Sequence, residues 1–298
     1  MSTRTRNKNH KPNFNRGSGG LARPKKSLGQ NFLNDQGVVQ DIVLCADLEP
    51  CDAVIEIGPG RGAMTGRLAE KAGLVIAVEI DRDLIPGIER LSEVCGNIIP
   101  VHADILKLDI EKDIIDQYVR PRGLTRVKVC ANLPYYITTP ILMKFLEECP
   151  ELIDGMVIMV QKEVAERMTA DPGGKDYGAM TVTVNYYTVP EIAFIVPPRC
   201  FIPQPSVDSA VVKLKMRKEQ PFKLDDKDYF FKIVKAAFSQ RRKTLVNALA
   251  NSPLTMVTAA DVNGALTEMG INVMARGETL SGSEFATLSN KLLKAIAR

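Results

Sequence analysis

Ala53-Val-Ile-Glu-Ile-Gly-Pro-Gly-Arg-Gly62 is the stretch of sequence that decides the fold. Residues 53–57 form a short apolar run, which is typical of a buried strand. The glycines that follow allow the backbone to turn sharply and to bring its N–H groups close to a ligand. Residues 63–72 then have a helical pattern. A strand, a glycine-rich turn and a helix in this order predict an α/β sheet that binds a ligand where its strands end.

The alternation of strands and helices continues along the chain. Such an order favours a parallel sheet that is covered by helices on both faces. Strand-like runs occupy 74–80, 98–103, 127–131 and 156–160, helical patterns occupy 35–48, 82–91 and 139–148, and 111–126 is a charged, less regular connection. Three further strand-like runs follow at 179–187, 192–196 and 209–216.

The C-terminal quarter of the chain has a different pattern. It contains no strand signals, and glycine and proline separate its helical segments. The predicted helices are 227–238, 241–251, 259–269 and 283–297. Lys218-Glu-Gln-Pro221 interrupts the pattern before the first of them. We therefore expect an α/β domain over 25–220 and a small all-α domain over 221–298.

The charge of the chain is concentrated in two basic segments. The net charge is +4, but residues 1–34 carry eight Lys or Arg and no acid, and residues 213–243 carry eleven Lys or Arg against four acids. Two basic segments on an otherwise acidic body indicate a polyanionic partner, although a solvated tail and a charged helix face would give the same pattern. With only two large apolar residues, 1–24 is predicted to be a disordered basic extension.

Composition excludes several classes of protein. The chain is 45% hydrophobic and 25% charged, as expected of a soluble globular protein. Six cysteines without a Cys-x-x-Cys pair, and only two histidines, predict neither a metal site nor a disulfide framework. No apolar run approaches the ~20 residues that span a membrane. The extension 1–24 lacks the apolar segment of a signal peptide, so we expect a cytoplasmic protein.

Polar residues recur where the predicted strands end. Gly58 and Gly60 follow the first strand, and Glu79 closes the second, 21 positions after Gly58. A carboxylate there can accept the hydroxyl protons of a ribose. The glycine spacing also satisfies the dinucleotide pattern G-x-G-x-x-A, or could be a simple tight turn. Asp104, after the third strand, can accept protons from an adenine amino group, which favours S-adenosylmethionine (SAM).

The fourth strand ends in Asn132-Leu-Pro-Tyr135. In methyl transfer to an adenine N6, the nitrogen lone pair is delocalised into the ring, so acceptors that hold the two N6 protons favour reaction. The Asn132 side-chain oxygen and the Leu133 carbonyl could be those acceptors. Pro134 stiffens the turn. Tyr135 offers a ring on which the base can stack, worth ~1–3 kcal/mol.

Five motifs together carry a family resemblance. They are Lys26-Ser-Leu-Gly-Gln-Asn-Phe-Leu33, Glu56-Ile-Gly-Pro-Gly60, Asn132-Leu-Pro-Tyr135, Phe201-Ile-Pro-Gln-Pro-Ser-Val-Asp-Ser209 and Phe238-Ser-Gln-Arg-Arg-Lys-Thr-Leu245. Over about residues 25–297 the chain resembles the small-subunit (16S) rRNA adenine N6,N6-dimethyltransferases, the KsgA/RsmA family. The resemblance implies a Rossmann-like SAM-dependent methyltransferase domain with a mostly parallel seven-stranded sheet, followed by a small all-α domain.

The resemblance also implies a reaction and its residues. The reaction is dimethylation of two adjacent adenosines in the 3′-terminal hairpin loop of small-subunit rRNA, free or in a pre-small-subunit particle, by a monomeric enzyme. Phe201 is expected to stack on the target base opposite Tyr135. The implied SAM-binding residues are Asn31, Leu33, Gly58, Glu79, Asp104 and Asn132, and those that hold rRNA are Arg241, Arg242 and Lys243.

Three other functions remain open at this point. A large-subunit rRNA adenine methyltransferase of the erythromycin-resistance type shares the SAM motifs and the tetrad at 132–135, but the signature at 240–245 argues against it. A non-catalytic RNA-binding factor in ribosome assembly would not need an intact Glu79 and Asp104. A dinucleotide oxidoreductase is indicated only by the glycine spacing.

Overall fold

A computed structural model describes residues 24–25 and 28–296 of the chain. The predicted extension 1–24 therefore lies, except for Pro24, outside the described residues. The strands are β1 (Phe32–Leu33), β2 (Asp52–Ile57), β3 (Leu74–Glu79), β4 (Ile98–His102), β5 (Arg126–Asn132), β6 (Gly155–Gln161), β7 (Thr188–Val196), β8 (Phe201–Ile202) and β9 (Ser209–Met216). The α-helices are α1 (Gln36–Cys45), α2 (Thr65–Ala69), α3 (Ile85–Cys95), α4 (Thr138–Met143), α5 (Lys162–Met168), α6 (Ala179–Tyr187), α7 (Lys227–Ser239), α8 (Leu245–Ala250), α9 (Ala259–Glu268) and α10 (Gly282–Ile296).

Seven strands form one sheet in the order β4-β3-β2-β5-β6-β9-β7. Every neighbouring pair is parallel except the two pairs that involve β9. The chain builds outward from β2 to β4 and then returns to place β5 on the other side of β2. In a parallel sheet this reversal opens a crevice at the carboxyl ends of the central strands. The predicted mostly parallel, seven-stranded Rossmann-like sheet is confirmed.

Alternation along β2 separates the two faces of the sheet. Ala53, Ile55 and Ile57 pack into one apolar cluster, and Val54 packs into the cluster on the opposite face. All six residues of β2 are buried because helices cover both faces. This packing holds the loop after Ile57 at a fixed position.

The strand predicted at 179–187 is wrong, because this segment is the helix α6. Its run of threonine and valine suggested a strand, but six of its nine residues are buried and show no helical stripe. Its polar side chains hydrogen-bond to backbone carbonyls: Asn185 Nδ2 donates to Thr181 O (2.9 Å) and to Met168 O (3.2 Å). Tertiary burial has overridden the local preference for a strand.

Two other segments differ from their predictions. The less regular connection expected at 111–126 contains a ten-residue π-helical segment, Ile110–Val119, whose isoleucines Ile110, Ile114 and Ile115 pack into the core. The helix expected at 241–251 begins only at Leu245. Thr244 caps that helix by accepting a hydrogen bond from Asn247 N, so residues 240–243 form the turn before it.

The helical C-terminal region packs through aromatic rings on α6, one of the helices that cover the sheet. Tyr186 of α6 contacts Phe222, Phe230 and Phe231, with ring centroids 5.4–5.9 Å apart. One apolar cluster contains both these helices and the sheet. Among the described residues, no helix is both long and apolar enough to cross a membrane.

Candidate functional site

The glycine-rich turn after β2 forms the floor of a cleft. Gly58 and Gly60 have φ of +66° and +60°, conformations that side chains with a Cβ rarely adopt. A Cβ on Gly58 would meet nothing within 4 Å, so this face of the turn is open to the cleft. A Cβ on Gly60 would lie 3.1 Å from the ring of Phe32, which covers the turn from above.

Glu79, the last residue of β3, presents a buried carboxylate to the cleft. Its Oε2 accepts a hydrogen bond from Gly60 N (3.0 Å) and its Oε1 accepts one from Asp81 N (2.8 Å). Burial raises the pKa of Glu79, and these backbone donors partly oppose the rise. Each carboxylate oxygen keeps a further lone pair, so both can accept hydroxyl protons from a ligand.

Asp104 lies beside Glu79 along the edge of the cleft. It follows β4 and caps a short 3₁₀ turn, in which its Oδ1 accepts a hydrogen bond from Leu106 N (3.1 Å). The other oxygen lies 3.8 Å from Lys107 Nζ. Ile105, Val78 and Ile57 line the adjacent wall of the cleft. A carboxylate next to an apolar slot is suited to a flat, nitrogen-rich ring such as adenine.

Asn132 and Leu133 close the opposite side of the cleft. Asn132 is the last residue of β5, and its Nδ2 donates to the carbonyl of Asn31 (3.1 Å). This bond orients the amide and leaves Oδ1 without a hydrogen-bond donor among the described residues. Leu133 N donates to Met159 O (3.2 Å), while no described residue donates to its own carbonyl oxygen. The geometry therefore offers two adjacent acceptor oxygens.

Pro134 and Tyr135 continue the wall of the cleft into a short 3₁₀ turn. The Tyr135 hydroxyl lies 2.9 Å from the hydroxyl of Ser209, the first residue of β9. Burial raises the pKa of Tyr135, so its phenol is neutral at physiological pH. The Ser209 contact fixes the ring at the mouth of the cleft.

Two residues that were predicted to line the cofactor and base site, Leu33 and Phe201, lie outside the cleft. Leu33 of β1 pairs with Phe201 of β8, and both side chains pack into the apolar cluster on the α1 face of the sheet. Phe201 is 1% exposed, so its ring offers no face to a base in this structure. Both residues support the ribbon that holds Asn31 and Phe32 over the cleft. Sequence alone could not show this role, because a ribbon of two-residue strands has no periodic pattern.

The structure brings nine of the predicted residues to this one cleft. The cleft and its open mouth together enclose about 840 Å³. The nine are Asn31, Gly58, Gly60, Glu79, Asp104, Asn132, Leu133, Pro134 and Tyr135. These groups fit a nucleoside: a buried carboxylate that can accept from a ribose, an apolar slot with a carboxylate that can accept from adenine, and an open glycine turn.

Two polar residues that line the cleft, Gln30 and Tyr136, were not predicted from sequence, nor was Asp81 beside it, which accepts a hydrogen bond of 2.9 Å from Gln30. Gln30 and Asp81 lie within two positions of Asn31 and Glu79, but proximity along the chain does not indicate which side chains are in contact.

The predicted RNA-binding residues lie away from the cleft on the 240–243 turn. Arg241, Arg242 and Lys243 are exposed. The Arg241 guanidinium donates to the backbone carbonyl of Lys175, in the loop before α6. No other hydrogen bond or ion pair among the described residues involves these three side chains, so their charges face solvent.

A family model described as "Ribosomal RNA adenine dimethylase" matches residues 22–289. This chain belongs to the ribosomal RNA adenine dimethylase family. The predicted resemblance is confirmed. The match includes both the sheet with its cleft and nearly all of the helical region.

Curated relatives of this family are similar over most of their length. The chain is 50% identical over 268 residues to the ribosomal RNA small subunit methyltransferase A of Alkaliphilus metalliredigens, covering 90% of this chain and 91% of that protein. It is 48% identical over 270 residues to the protein of the same name from a Geobacillus species, with the same coverage.

Two solved structures share the fold. A dimethyladenosine transferase from Plasmodium falciparum aligns with a TM-score of 0.69 and 25% identity, covering 86% of this chain and 95% of that chain. The 23S rRNA methyltransferase ErmE aligns with a TM-score of 0.67 and 26% identity, covering 88% and 99%. These values are nearly equal, so the fold alone does not distinguish this chain's similarity to one enzyme from its similarity to the other.

Proposed function

We propose that this adenine dimethylase transfers methyl groups from SAM to the N6 atoms of two adjacent adenosines in the 3′-terminal hairpin loop of small-subunit rRNA. One observation carries the proposal. The cleft holds a nucleoside-type acceptor set, Glu79 and Asp104, next to two acceptor oxygens on Asn132 and Leu133. The choice of small-subunit rRNA is supported by relatives at 48–50% identity that are named for that substrate.

SAM, when bound, supplies a methyl group that its sulfonium already activates. The residues that would hold it are Asn31, Gly58, Gly60, Glu79 and Asp104. Glu79 accepts the two ribose hydroxyl protons, because each of its oxygens keeps a lone pair beyond its backbone hydrogen bond. Gly58 allows close approach, since a side chain there would enter the open face of the turn.

Asn132 and Leu133 prepare the nitrogen that is methylated. The Asn132 Oδ1 and the Leu133 carbonyl each accept one N6 proton, which holds the amino group and favours a tetrahedral nitrogen with an available lone pair. Neither group removes a proton before transfer, so no strongly basic residue is needed. The methylated nitrogen is cationic and then loses one proton to water, so that one N6 proton and one acceptor contact remain for the second transfer. Holding the nitrogen in line with the methyl group increases the rate through proximity and orientation.

Tyr135 receives the target base. Extruding an adenine from a hairpin loop costs a few kcal/mol, and stacking on an aromatic ring returns part of this energy. The contact with Ser209 holds the ring ready before the RNA arrives. Phe201 can contribute a second face only if the β1–β8 ribbon moves, since its ring is buried.

Arg241, Arg242 and Lys243 bind the phosphate backbone of the rRNA. Their exposed charges lie in the basic segment 213–243 and have few internal partners. Contacts of this kind fix position without reading sequence. We further propose that the protein acts as a cytoplasmic monomer and that its substrate is small-subunit rRNA, free or in a pre-small-subunit particle.

A large-subunit substrate is the alternative; the relatives at 48–50% identity do not favour it, and the structural similarity to ErmE and to the dimethyladenosine transferase is too nearly equal to decide. Labelled SAM incubated with unmethylated small subunits, naked small-subunit rRNA and large subunits separates the two. We expect N6,N6-dimethyladenosine in small-subunit rRNA, and the naked rRNA arm shows whether the particle is required. Label in large-subunit rRNA alone, or a monomethylated product alone, would overturn the proposal.

A further inference from the structure

Three residues beside the cleft form a closed ring of polar contacts. The Asp81 side chain is only 1% exposed. Its Oδ2 accepts from Gln30 Nε2 (2.9 Å) and its Oδ1 accepts from Lys25 Nζ (2.5 Å). Gln30 Oε1 in turn accepts from the backbone N–H of Lys25 (2.8 Å). Both ends of the Gln30 amide are therefore held, and the buried Asp81 charge is matched by an ion pair.

This ring connects the two sides of the cleft. On one side, the backbone N–H of Asp81 donates to Glu79 Oε1 (2.8 Å). On the other side, Gln30 precedes Asn31, whose carbonyl accepts from Asn132 Nδ2 (3.1 Å). A continuous path of short polar contacts thus runs from the carboxylate for the ribose to the amide for the target amine.

The orientation of the Asn132 amide depends on the Asn31 carbonyl. A side-chain amide has an acceptor end and a donor end of nearly the same shape. With Nδ2 bound to Asn31, Oδ1 is the end left for an incoming amino group. If the Asn31 carbonyl moved away, the amide could rotate and present its N–H₂ to the N6 protons, which would repel the substrate amine.

We propose that Gln30 and Asp81 are positioning residues for methyl transfer. They hold the Asn31 carbonyl in place and so keep the Asn132 oxygen directed at the target amine, and through Asp81 N–H they also hold Glu79. This inference rests on the proposed function, because it assigns the ring a role in that reaction. In the proposed reaction, neither residue contacts the adenine N6 or the methyl group.

Asp81→Asn and Gln30→Leu test the ring, with Asp83→Asn as the matched control. Asp83 also contacts Lys25 Nζ (2.7 Å), but its side chain is 65% exposed and it has no contact with Gln30. Both ring variants should lose about tenfold in S-adenosylhomocysteine affinity by calorimetry, the cost of one hydrogen bond to a charged group. They should also lose about tenfold or more in single-turnover rate at saturating RNA and SAM, while Asp83→Asn stays within about twofold.

A double variant and a rescue separate positioning from general stability. Gln30→Leu combined with Asp81→Asn should be little worse than either single variant, because both remove the same ring. Lys25→Met, which cannot donate to Asp81, should lower the single-turnover rate. Lys25→Arg, which can, should keep the rate of the parent protein. Ring variants that bind S-adenosylhomocysteine and react at the Asp83→Asn level would overturn the inference. The measurement of S-adenosylhomocysteine affinity does not require that any rRNA is methylated. Failure of the proposed function can therefore be distinguished from failure of this inference.

Discussion

The cleft at the strand ends and the 240–243 turn use polar groups in opposite ways. In the cleft, Glu79 is 4% exposed and receives two backbone hydrogen bonds. In the turn, Arg241, Arg242 and Lys243 are exposed, and one of them makes one backbone contact. Pre-organised buried groups suit chemistry at one atom, whereas exposed charges suit a flexible polyanion. Catalysis and RNA binding should therefore fail separately when each region is altered.

Asn132→Ala should give the largest effect and confine it to the cleft. Loss of an acceptor that holds the reacting amine should lower the single-turnover rate by about 10²–10³-fold, by analogy with pre-organised hydrogen-bond groups elsewhere. RNA affinity, measured by filter binding, should change little. Asn132→Asp is the control. It keeps an acceptor oxygen but loses the donor to Asn31, so its rate should lie between that of the parent protein and that of Asn132→Ala. Full activity of Asn132→Ala would refute the acceptor role.

Glu79→Gln should weaken cofactor binding without changing RNA binding. An amide can accept at only one of its two ends, so one ribose hydroxyl loses its partner, which should reduce S-adenosylhomocysteine affinity by about 10–100-fold. Calorimetry measures this directly, and the RNA-binding isotherm is the internal control. Unchanged nucleoside affinity would mean that the ribose lies elsewhere.

Neutralising Arg241, Arg242 and Lys243 together tests the other region. Each lost phosphate contact lowers the slope of log affinity against log salt by about 0.7–0.9, and RNA affinity should fall by about tenfold or more near physiological salt. Affinity for S-adenosylhomocysteine should be unchanged. Alanine at Lys213, Lys215 and Lys218 removes the same charge outside the 240–243 turn and is the matched control; Lys213 and Lys215 lie on β9 opposite Val157 and Gly155 of β6, toward the end of the sheet that is away from the cleft. Equal slopes in the two triple variants would place the RNA surface elsewhere.

A substitution of Glu56 is expected to change stability and not function, and it extends the comparison to a second buried carboxylate. It is fully buried in β2, and neither carboxylate oxygen has a well-formed hydrogen bond among the described residues, although the Thr65 hydroxyl interacts with it and partly opposes the effect of burial. Burial, with a contribution from the charge of Glu79, raises its pKa to about 8. The folded state therefore holds a proton that the unfolded state releases above its ordinary pKa, so this residue's contribution to stability declines as pH rises from about 4.5 to about 8.

Glu56→Gln removes that dependence. Chemical denaturation should show the variant more stable than the parent above pH 8, by up to roughly 5 kcal/mol for a pKa raised from 4.5 to about 8, because glutamine has no carboxyl proton to lose; the advantage should fade toward pH 5. A parent protein whose stability rises over the same range relative to the variant would mean that Glu56 is ionised and paired.

The sheet and most of the cleft could be predicted from sequence because their signals are local. A β-branched run followed by glycines, and acids at strand ends, place Gly58, Glu79, Asp104 and Asn132 at one edge without any knowledge of packing. The segment 179–187 could not be predicted, because six of its nine residues are buried and none is exposed, which removes the helical stripe and leaves only its β-branched composition. The places of Phe201 and Gln30 depend on contacts between residues far apart in sequence, which no local pattern reports.

The most direct test is a structure of the protein with S-adenosylhomocysteine and an unmethylated hairpin-loop RNA. We predict that the target adenine is extruded beside the cofactor, with its N6 about 2.7–3.2 Å from both the Asn132 Oδ1 and the Leu133 carbonyl oxygen. An adenine bound elsewhere, or an Asn132 amide that presents its nitrogen to the base, would contradict it.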